Sequence, residues 1–166
     1  MNNTKLRMLI CDDDKYFRMA LKEIIAPFGL IEEAATEAEA LELLKDQHFD
    51  LALIDMEIDG PLSGINILKA SKSKKIHSII LSSLSDDEVI EEAYLNNCDH
   101  FLAKSQYRTY LEPYILKQKR SLVHDELAEF FNEKYITKDK DLKEKIQQIC
   151  KINLKNQTVL ITGETG

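Results

Sequence analysis

Four short apolar runs that end in polar residues constrain the fold of this chain more than any other feature of its sequence. The runs are Leu6–Cys11, Asp50–Asp55, Ile76–Leu81 and Cys98–Ala103, and the polar residues at or just after their ends are Asp12, Asp55, Ser82 and Lys104. Each run is too short for a buried helix and is typical of an inner strand of a parallel sheet. Because parallel strands joined by helices end at one edge of a sheet, we expect these polar residues to converge there.

The segments between these runs have the apolar spacing of helices. Lys15–Ala26 is expected to form a helix that begins after a cap at Asp14 and ends at Pro27. A short strand, Leu30–Ala35, follows it, and Thr36–Glu39 has the Thr-x-x-Glu pattern of a helix start. Repeats of strand then helix over about 110 residues predict an α/β fold with a five-stranded, parallel, doubly wound sheet that has helices on both faces.

The third and fourth helices follow recognisable turn and capping residues. Residues 56–64 are rich in turn formers, and the helix after them is expected to reach about Lys72. Ser85–Glu88 repeats the capping pattern and is expected to open the fourth helix.

The fifth helix is predicted to start near Tyr107 and has no clear stop before about Asn132, although an ordinary helix has only ~11 residues. Its first half is expected to complete a domain over residues 1–118. Residues 119–138 are expected to project as a linker or dimerisation helix. The alternative is two helices with a bend near Ser121.

Composition and charge narrow the class of protein. A chain of 166 residues of which 44% are hydrophobic can form one domain with an extension. A net charge of −7 leaves no basic stripe to neutralise phosphates, which argues against direct nucleic-acid binding. No apolar run approaches the ~20 residues of a membrane span, and the three cysteines lack the spacing of a zinc site. We therefore expect a cytoplasmic protein that does not contact a membrane.

The predicted edge of the sheet combines groups that suit phosphoryl transfer. Asp12, Asp13 and Asp55 would repel one another by about 4 kcal/mol for each pair about 4 Å apart, so the cluster is expected to bind a hard divalent cation, for which Mg²⁺ is suited. Asp55 can then act as the nucleophile that forms an acyl phosphate. Lys104 would offer a positive charge and Ser82 a hydroxyl donor to the phosphoryl oxygens.

Over Met8–Lys104 the sequence resembles the receiver domain of two-component response regulators. The shared features are the apolar strand that runs into Asp12 and Asp13, Arg18, Leu53–Met56, Gly64, Leu81–Ser83 and Phe101–Lys104. The resemblance implies a flavodoxin-like fold with the strand order 2-1-3-4-5. It also implies that a partner histidine kinase phosphorylates Asp55.

The same resemblance implies roles for individual residues. Mg²⁺ would be held by Asp13, Asp55 and the backbone carbonyl of Glu57, with Asp12 acting through water. On phosphorylation Ser82 would move toward the phosphoryl group while Phe101 turns inward, which would remodel the face formed by the fourth helix, the fifth strand and the fifth helix.

The sequence departs from the family pattern in three places. Ser105 follows Lys104 where a proline is usual, so a cis peptide bond is not expected there. The loop after Asp55 reaches its glycine one residue late, and Asp59 stands where a proline is common.

The C-terminal part of the sequence resembles a second family. Tyr135–Thr137 and Val159–Gly166 look like the start of the AAA+ ATPase domain of sigma-54-dependent activators of the NtrC type. The phosphate loop of that domain needs a further glycine and a lysine after Gly166. We therefore expect residues 139–166 to be a truncated fragment that does not bind or hydrolyse ATP. The chain would be a non-enzymatic, homodimeric piece of a longer transcription activator, and phosphorylation would control the activator by rearranging the dimer. The alternative is a naturally short protein.

Two other functions are consistent with some of the residues. A phosphohydrolase of the haloacid dehalogenase type uses an Asp-x-Asp pair after its first strand, which Asp12 and Asp14 fit, with Ser82 and Lys104 as the later hydroxyl and lysine. Such an enzyme needs a further acidic pair at a strand end, whereas Asp139–Asp141 falls in the predicted linker. The other alternative is a receiver-shaped docking protein that never carries phosphate.

Overall fold

The structure, a computed structural model, describes residues 5–83 and 87–118. Contacts divide the chain into two units, Met1–Lys117 and Gln118–Gly166, and nearly all described residues belong to the first. The predictions for the helix start at Ser85, for residues 119–138 and for residues 139–166 lie outside the described residues.

A single sheet of five parallel strands forms the centre of the described unit. In chain order the strands are β1 (Leu6–Cys11), β2 (Gly29–Ala34), β3 (Leu51–Asp55), β4 (His77–Ser82) and β5 (His100–Ala103). Their order across the sheet is 2-1-3-4-5, and every neighbouring pair is parallel. The predicted fold class and strand order are therefore confirmed.

Helices connect the strands and cover both faces of the sheet. They are α1 (Lys15–Ile25), α2 (Glu37–Asp46), α3 (Gly64–Ser73), α4 (Asp87–Leu95) and α5, of which residues 107–118 are described. The core cluster on one face contains buried side chains from α2, α3 and α4. Outside this cluster α1 buries Leu21 and Ile25, and α5 buries Leu111 and Ile115. Within the described residues, no helix combines the length and the apolar character needed to cross a membrane.

The predicted capping residues begin two of the helices. The Asp14 carboxylate accepts hydrogen bonds from the backbone N–H groups of Tyr16 and Phe17 at the start of α1. The Thr36 hydroxyl accepts from the N–H of Glu39 at 3.2 Å, and the Glu39 side chain accepts from the N–H of Ala35. These side chains satisfy amides that have no partner within the helix.

Several boundaries differ from the sequence-based expectation, most of them by one residue, and two of these differences have a clear local cause. Helix α1 ends at Ile25, and Ala26–Phe28 forms a 3₁₀ turn around its proline. Strand β5 begins two residues later than predicted. The N–H of Cys98 donates to the carbonyl of Ala93 in α4 instead, so this residue takes part in the turn that follows the helix.

Every residue of β3 is buried, which agrees with its central position in the sheet. Side chains alternate between the two faces of a strand, so Ile54 joins the core cluster below α2 and α3 whereas Leu53 points to the opposite face. Asp55 is the last residue of this strand. The most buried strand of the sheet therefore fixes the backbone of Asp55 at its carboxyl edge.

Candidate functional site

Three carboxylates converge at the carboxyl edge of the sheet. Asp12 and Asp13 follow β1 and Asp55 ends the neighbouring β3, and each offers an oxygen atom within 4.8 Å of the others. Asp12 is only 1% exposed and Asp55 5%, while Asp13 is exposed. The cluster therefore has two buried carboxylates and one that faces outward.

Lys104 places its ammonium group between the two buried carboxylates. Its Nζ lies 2.7 Å from Asp12 Oδ2 and 2.9 Å from Asp55 Oδ2. Lys104 directly follows β5, at the far side of the sheet from β1, and its side chain is 17% exposed. The strand ends thus bring together the four charged residues that the sequence singled out there.

The pKa shifts follow from burial and from this arrangement of charges. Burial raises the pKa of the Asp12 carboxyl and the nearby charge of Asp55 adds to the effect, while Lys104 and the N–H of Asp14 oppose it. For Lys104, burial acts to lower the pKa, but the contacts with Asp12 and Asp55 outweigh it and raise the pKa. Lys104 is therefore a cation at neutral pH.

The loop that carries Asp12 and Asp13 is held by Arg18. Its Nη1 donates to the backbone carbonyls of Asp12 at 2.6 Å and of Asp13 at 3.2 Å. Its Nε lies 3.3 Å from Glu33 Oε2 on β2, and Lys22 pairs with the other oxygen of Glu33. The family resemblance identified Arg18 but not Glu33. The residues next to a glutamate in a strand do not indicate that it pairs with residues on a helix.

The loop after β3 folds back closely against the end of the strand. A Cβ atom on Gly64 would lie 2.1 Å from the carbonyl oxygen of Asp55, so only glycine fits there. The N–H of Glu57 donates to Asp55 Oδ1 at 3.3 Å. Asp59 accepts a hydrogen bond from the N–H of Glu37 in the first turn of α2. This aspartate, at the position where the family often has proline, therefore joins the loop to α2.

The two predicted switch residues lie on the last two strands. Ser82 is the last residue of β4 and is fully buried. It follows Leu81, which pairs with Asp55, and it pairs with Ala103. Phe101 lies in β5 opposite Ile80 and packs, partly buried, against the core cluster. Among the described residues no peptide bond is cis.

The acid cluster has the donor set that a hard divalent cation prefers. All three side chains offer carboxylate oxygens, the type of ligand that suits Mg²⁺. Asp12 Oδ2 is buried and, although it is ion-paired with Lys104, it lacks a well-directed hydrogen bond. One ammonium group also leaves the negative charge of three carboxylates only partly balanced. The residues present therefore fit a bound Mg²⁺.

Asp14, which the phosphohydrolase alternative pairs with Asp12, does not belong to the acid cluster. Its carboxylate accepts hydrogen bonds from the first turn of α1, as the capping pattern predicts. The group of carboxylates within 4.8 Å of one another contains Asp12, Asp13 and Asp55 but not Asp14. The geometry therefore gives this alternative no support.

Comparison with known proteins agrees with the resemblance to receiver domains. The family model of the response regulator receiver domain matches residues 8–115. Sporulation initiation phosphotransferase F of Bacillus subtilis is 33% identical over 90 residues, which cover 52% of this chain and 72% of that protein. The cyclic di-GMP phosphodiesterase RocR of Pseudomonas aeruginosa is 35% identical over 97 residues. That match covers 55% of this chain and 24% of RocR, so the chain spans only about a quarter of this relative.

Solved structures share the fold. A CheY-like response regulator receiver domain protein from Methanospirillum hungatei superposes with a TM-score of 0.58 at 25% identity, over 74% of this chain and 96% of that chain. The fold and the site define a doubly wound α/β domain with an acid cluster and a lysine at its carboxyl edge. The chain belongs to the response regulator receiver domain family.

Proposed function

We propose that Asp55 accepts a phosphoryl group from a partner histidine kinase and that this modification switches the receiver domain. The observation that carries the proposal is the position of Lys104, whose Nζ lies within 3 Å of both Asp12 Oδ2 and Asp55 Oδ2. A phosphoryl group on Asp55 would bring its oxygens next to this ammonium. Charge neutralisation at those oxygens is a main requirement of phosphoryl transfer.

In the proposed step a carboxylate oxygen of Asp55 forms a bond to phosphorus. The bond between phosphorus and the imidazole nitrogen of the kinase histidine breaks, and the imidazole leaves with the electron pair. Lys104 pairs with a phosphoryl oxygen, and Ser82, at the end of β4, offers a hydroxyl donor to another. The product is an acyl phosphate on the central strand of the sheet.

Mg²⁺ is the proposed cofactor. Asp13, Asp55 and the backbone carbonyl of Glu57 would hold it, with Asp12 acting through water. When bound, it supplies positive charge that offsets the repulsion between the carboxylates and an incoming phosphoryl group. The exposure of Asp13 leaves one side of the cluster accessible from solvent.

The test is phosphorylation by acetyl phosphate in the presence of Mg²⁺, followed by mass spectrometry of peptides. We expect an adduct of about 80 Da on the peptide that contains Asp55, and no adduct in the Asp55→Asn variant. Asp46→Asn is the matched control because Asp46 is exposed at the end of α2. An adduct on Asp12 or Asp13, or none in the wild type, would contradict the proposal.

We further propose that the module controls a sigma-54-type transcription activator through a change in dimer contacts. The support is the sequence of residues 139–166, in which an apolar run is followed by Gly163 and Gly166. This pattern resembles the start of a phosphate-binding loop. Residues 119–138 would carry the change as a dimerisation helix. In this proposal the sensor kinase is the partner that phosphorylates the chain. A second copy of the chain is the partner with which it forms a dimer.

A further inference from the structure

The aromatic ring of Phe17 lies beside the ammonium group of Lys104. Lys104 Nζ is 4.7 Å from the centroid of this ring, and it is 2.7 and 2.9 Å from the carboxylates of Asp12 and Asp55. The ring also packs against Tyr107 in α5 in a T-shaped arrangement, with 5.0 Å between the centroids and 67° between the planes. Two anions and one aromatic ring therefore surround the lysine head group.

The backbone of Phe17 is fixed by the same cap that begins α1. Its N–H donates to Asp14 Oδ1 at 3.3 Å, and Asp14 in turn donates its N–H to Asp12 Oδ1 at 2.9 Å. The backbone that carries the ring is thus hydrogen-bonded to the loop that carries the acid cluster.

A lysine side chain has several freely rotating bonds, so two carboxylates alone do not fix its direction. The face of an aromatic ring attracts a cation, and the ring also occupies space that water would otherwise fill. In the sequence, Phe17 is recognisable only as an apolar residue of the predicted first helix. Its contact with Lys104 depends on how α1 and the end of β5 meet.

We infer that Phe17 is a positioning residue that holds the ammonium of Lys104 between Asp12 and Asp55. For its effect on phosphoryl transfer the inference rests on the proposed function. For the position of the lysine it stands on the contacts alone. Loss of the ring would let the ammonium turn toward solvent, and a phosphoryl oxygen on Asp55 would then meet a less ordered partner.

The first readout is the NMR signal of the Lys104 ε-methylene in protein labelled with ¹³C-lysine. The signal is assigned by its loss in Lys104→Arg. A methylene next to the face of a ring is shifted upfield, so we expect this shift in the wild type and in Phe17→Tyr, which keeps the ring. We expect it to disappear in Phe17→Leu, which keeps an apolar side chain with good helix propensity.

Phe49→Leu is the matched control. Phe49 is a buried phenylalanine beside another cation, Arg7, with 5.8 Å between the guanidinium carbon and the ring centroid. It precedes β3, at the opposite end of that strand from Asp55. This variant removes a ring from the same domain, and it is expected to leave the Lys104 signal in place.

The second readout is the initial rate of Asp55 phosphorylation by acetyl phosphate. We expect Phe17→Leu to lower the rate about fivefold, the size of effect that one cation–ring contact can give, and Phe17→Tyr to stay within about twofold of the wild type. An unchanged Lys104 signal in Phe17→Leu would overturn the inference about the position of the lysine. If the wild type is phosphorylated, an unchanged rate in Phe17→Leu would overturn its effect on phosphoryl transfer. If the wild type takes up no phosphoryl group, the proposed function fails, and the NMR signal alone decides the position of the lysine.

Discussion

Asp13 differs from the other two carboxylates of the acid cluster in its surroundings. It is exposed, whereas Asp12 and Asp55 are buried and contact Lys104. A substitution at Asp13 therefore removes one proposed Mg²⁺ ligand and one negative charge while it leaves both ion pairs intact. For this reason Asp13 is the residue at which metal binding can be tested with least disturbance of the fold.

We expect Asp13→Asn to weaken Mg²⁺ binding by at least about tenfold, because a charged oxygen ligand becomes a neutral one. Without Mg²⁺ the variant is expected to be slightly more stable than the wild type, by about 1 kcal/mol, since one like-charge repulsion is lost. Mg²⁺ titration calorimetry measures the first effect. Thermal unfolding with and without Mg²⁺ measures the second, because a ligand that binds only the folded state stabilises it.

Asp46→Asn serves again as the control, since it removes one negative charge from an exposed site on α2. Equal stabilisation of the wild type and of Asp13→Asn by Mg²⁺ would contradict a metal site at the acid cluster. Equal stabilisation of all three proteins would mean that the cation acts on overall charge.

At the scale of elements, α1 is attached to the edge strand β2 through Glu33. Arg18 and Lys22 lie one turn apart on α1, and both pair with the Glu33 carboxylate. Arg18 also holds the loop after β1. The network therefore joins one helix, one edge strand and the backbone of the acid cluster.

The pairing makes stability depend on pH in a defined direction. The hydrogen bond and the charge of Lys22, together with Arg18, hold the pKa of Glu33 below its ordinary value of 4.5, although burial opposes them. A carboxyl whose pKa is lowered by folding stabilises the protein above its unfolded-state pKa, and the contribution is lost as pH falls through the folded-state pKa.

We therefore expect Glu33→Gln to lower the free energy of unfolding by about 1 kcal/mol at neutral pH, a modest value because the pair is partly exposed. The difference from the wild type should shrink as pH falls below the ordinary value of 4.5. Urea unfolding across this range measures it. Glu32→Gln, at the exposed neighbouring position, is the control, and a pH-independent difference would contradict the assignment.

Local patterns predicted the elements well because the decisive signals lie close together in sequence. The caps at Asp14 and Thr36 act on amides two or three residues away, and the apolar runs alone mark the strands. The parallel topology then brings the strand ends together, which is why the pairing of Lys104 with Asp55 could be expected.

The contacts that sequence did not predict join side chains far apart in the chain. Glu33 with Arg18, Asp59 with the amide of Glu37, and Phe17 with Lys104 each depend on how two elements pack. No local pattern marks such a pair, since each residue has an ordinary alternative as a surface charge or a core side chain.

At the scale of the whole molecule, α5 contacts both the site and the opposite end of the sheet. Tyr107, in its first turn, contacts Phe17. Tyr114 stacks on His100, with 4.4 Å between the centroids, and its hydroxyl lies 2.7 Å from His77 Nε2. Tyr110 remains 53% exposed and Leu116 42%. The helix is therefore held firmly on one side and has apolar surface on the other.

The proposed phosphorylation would change the association of two copies of the chain. Beryllofluoride with Mg²⁺ mimics an acyl phosphate, and we expect its addition to change the sedimentation coefficient of the full chain. Asp55→Asn should abolish the change, because the nucleophile is absent. No response in the wild type would contradict a phosphorylation-controlled dimer.

A variant in the predicted dimerisation helix tests where the two copies contact each other. Leu127 lies in residues 119–138, where it is expected to line one side of the helix with other apolar residues. Leu127→Glu would place like charges against each other in a dimer and should prevent association, while phosphorylation of Asp55 continues. If Leu127→Glu associates like the wild type, the contact between copies must lie elsewhere, and the exposed side of α5 around Tyr110 becomes the surface to substitute next.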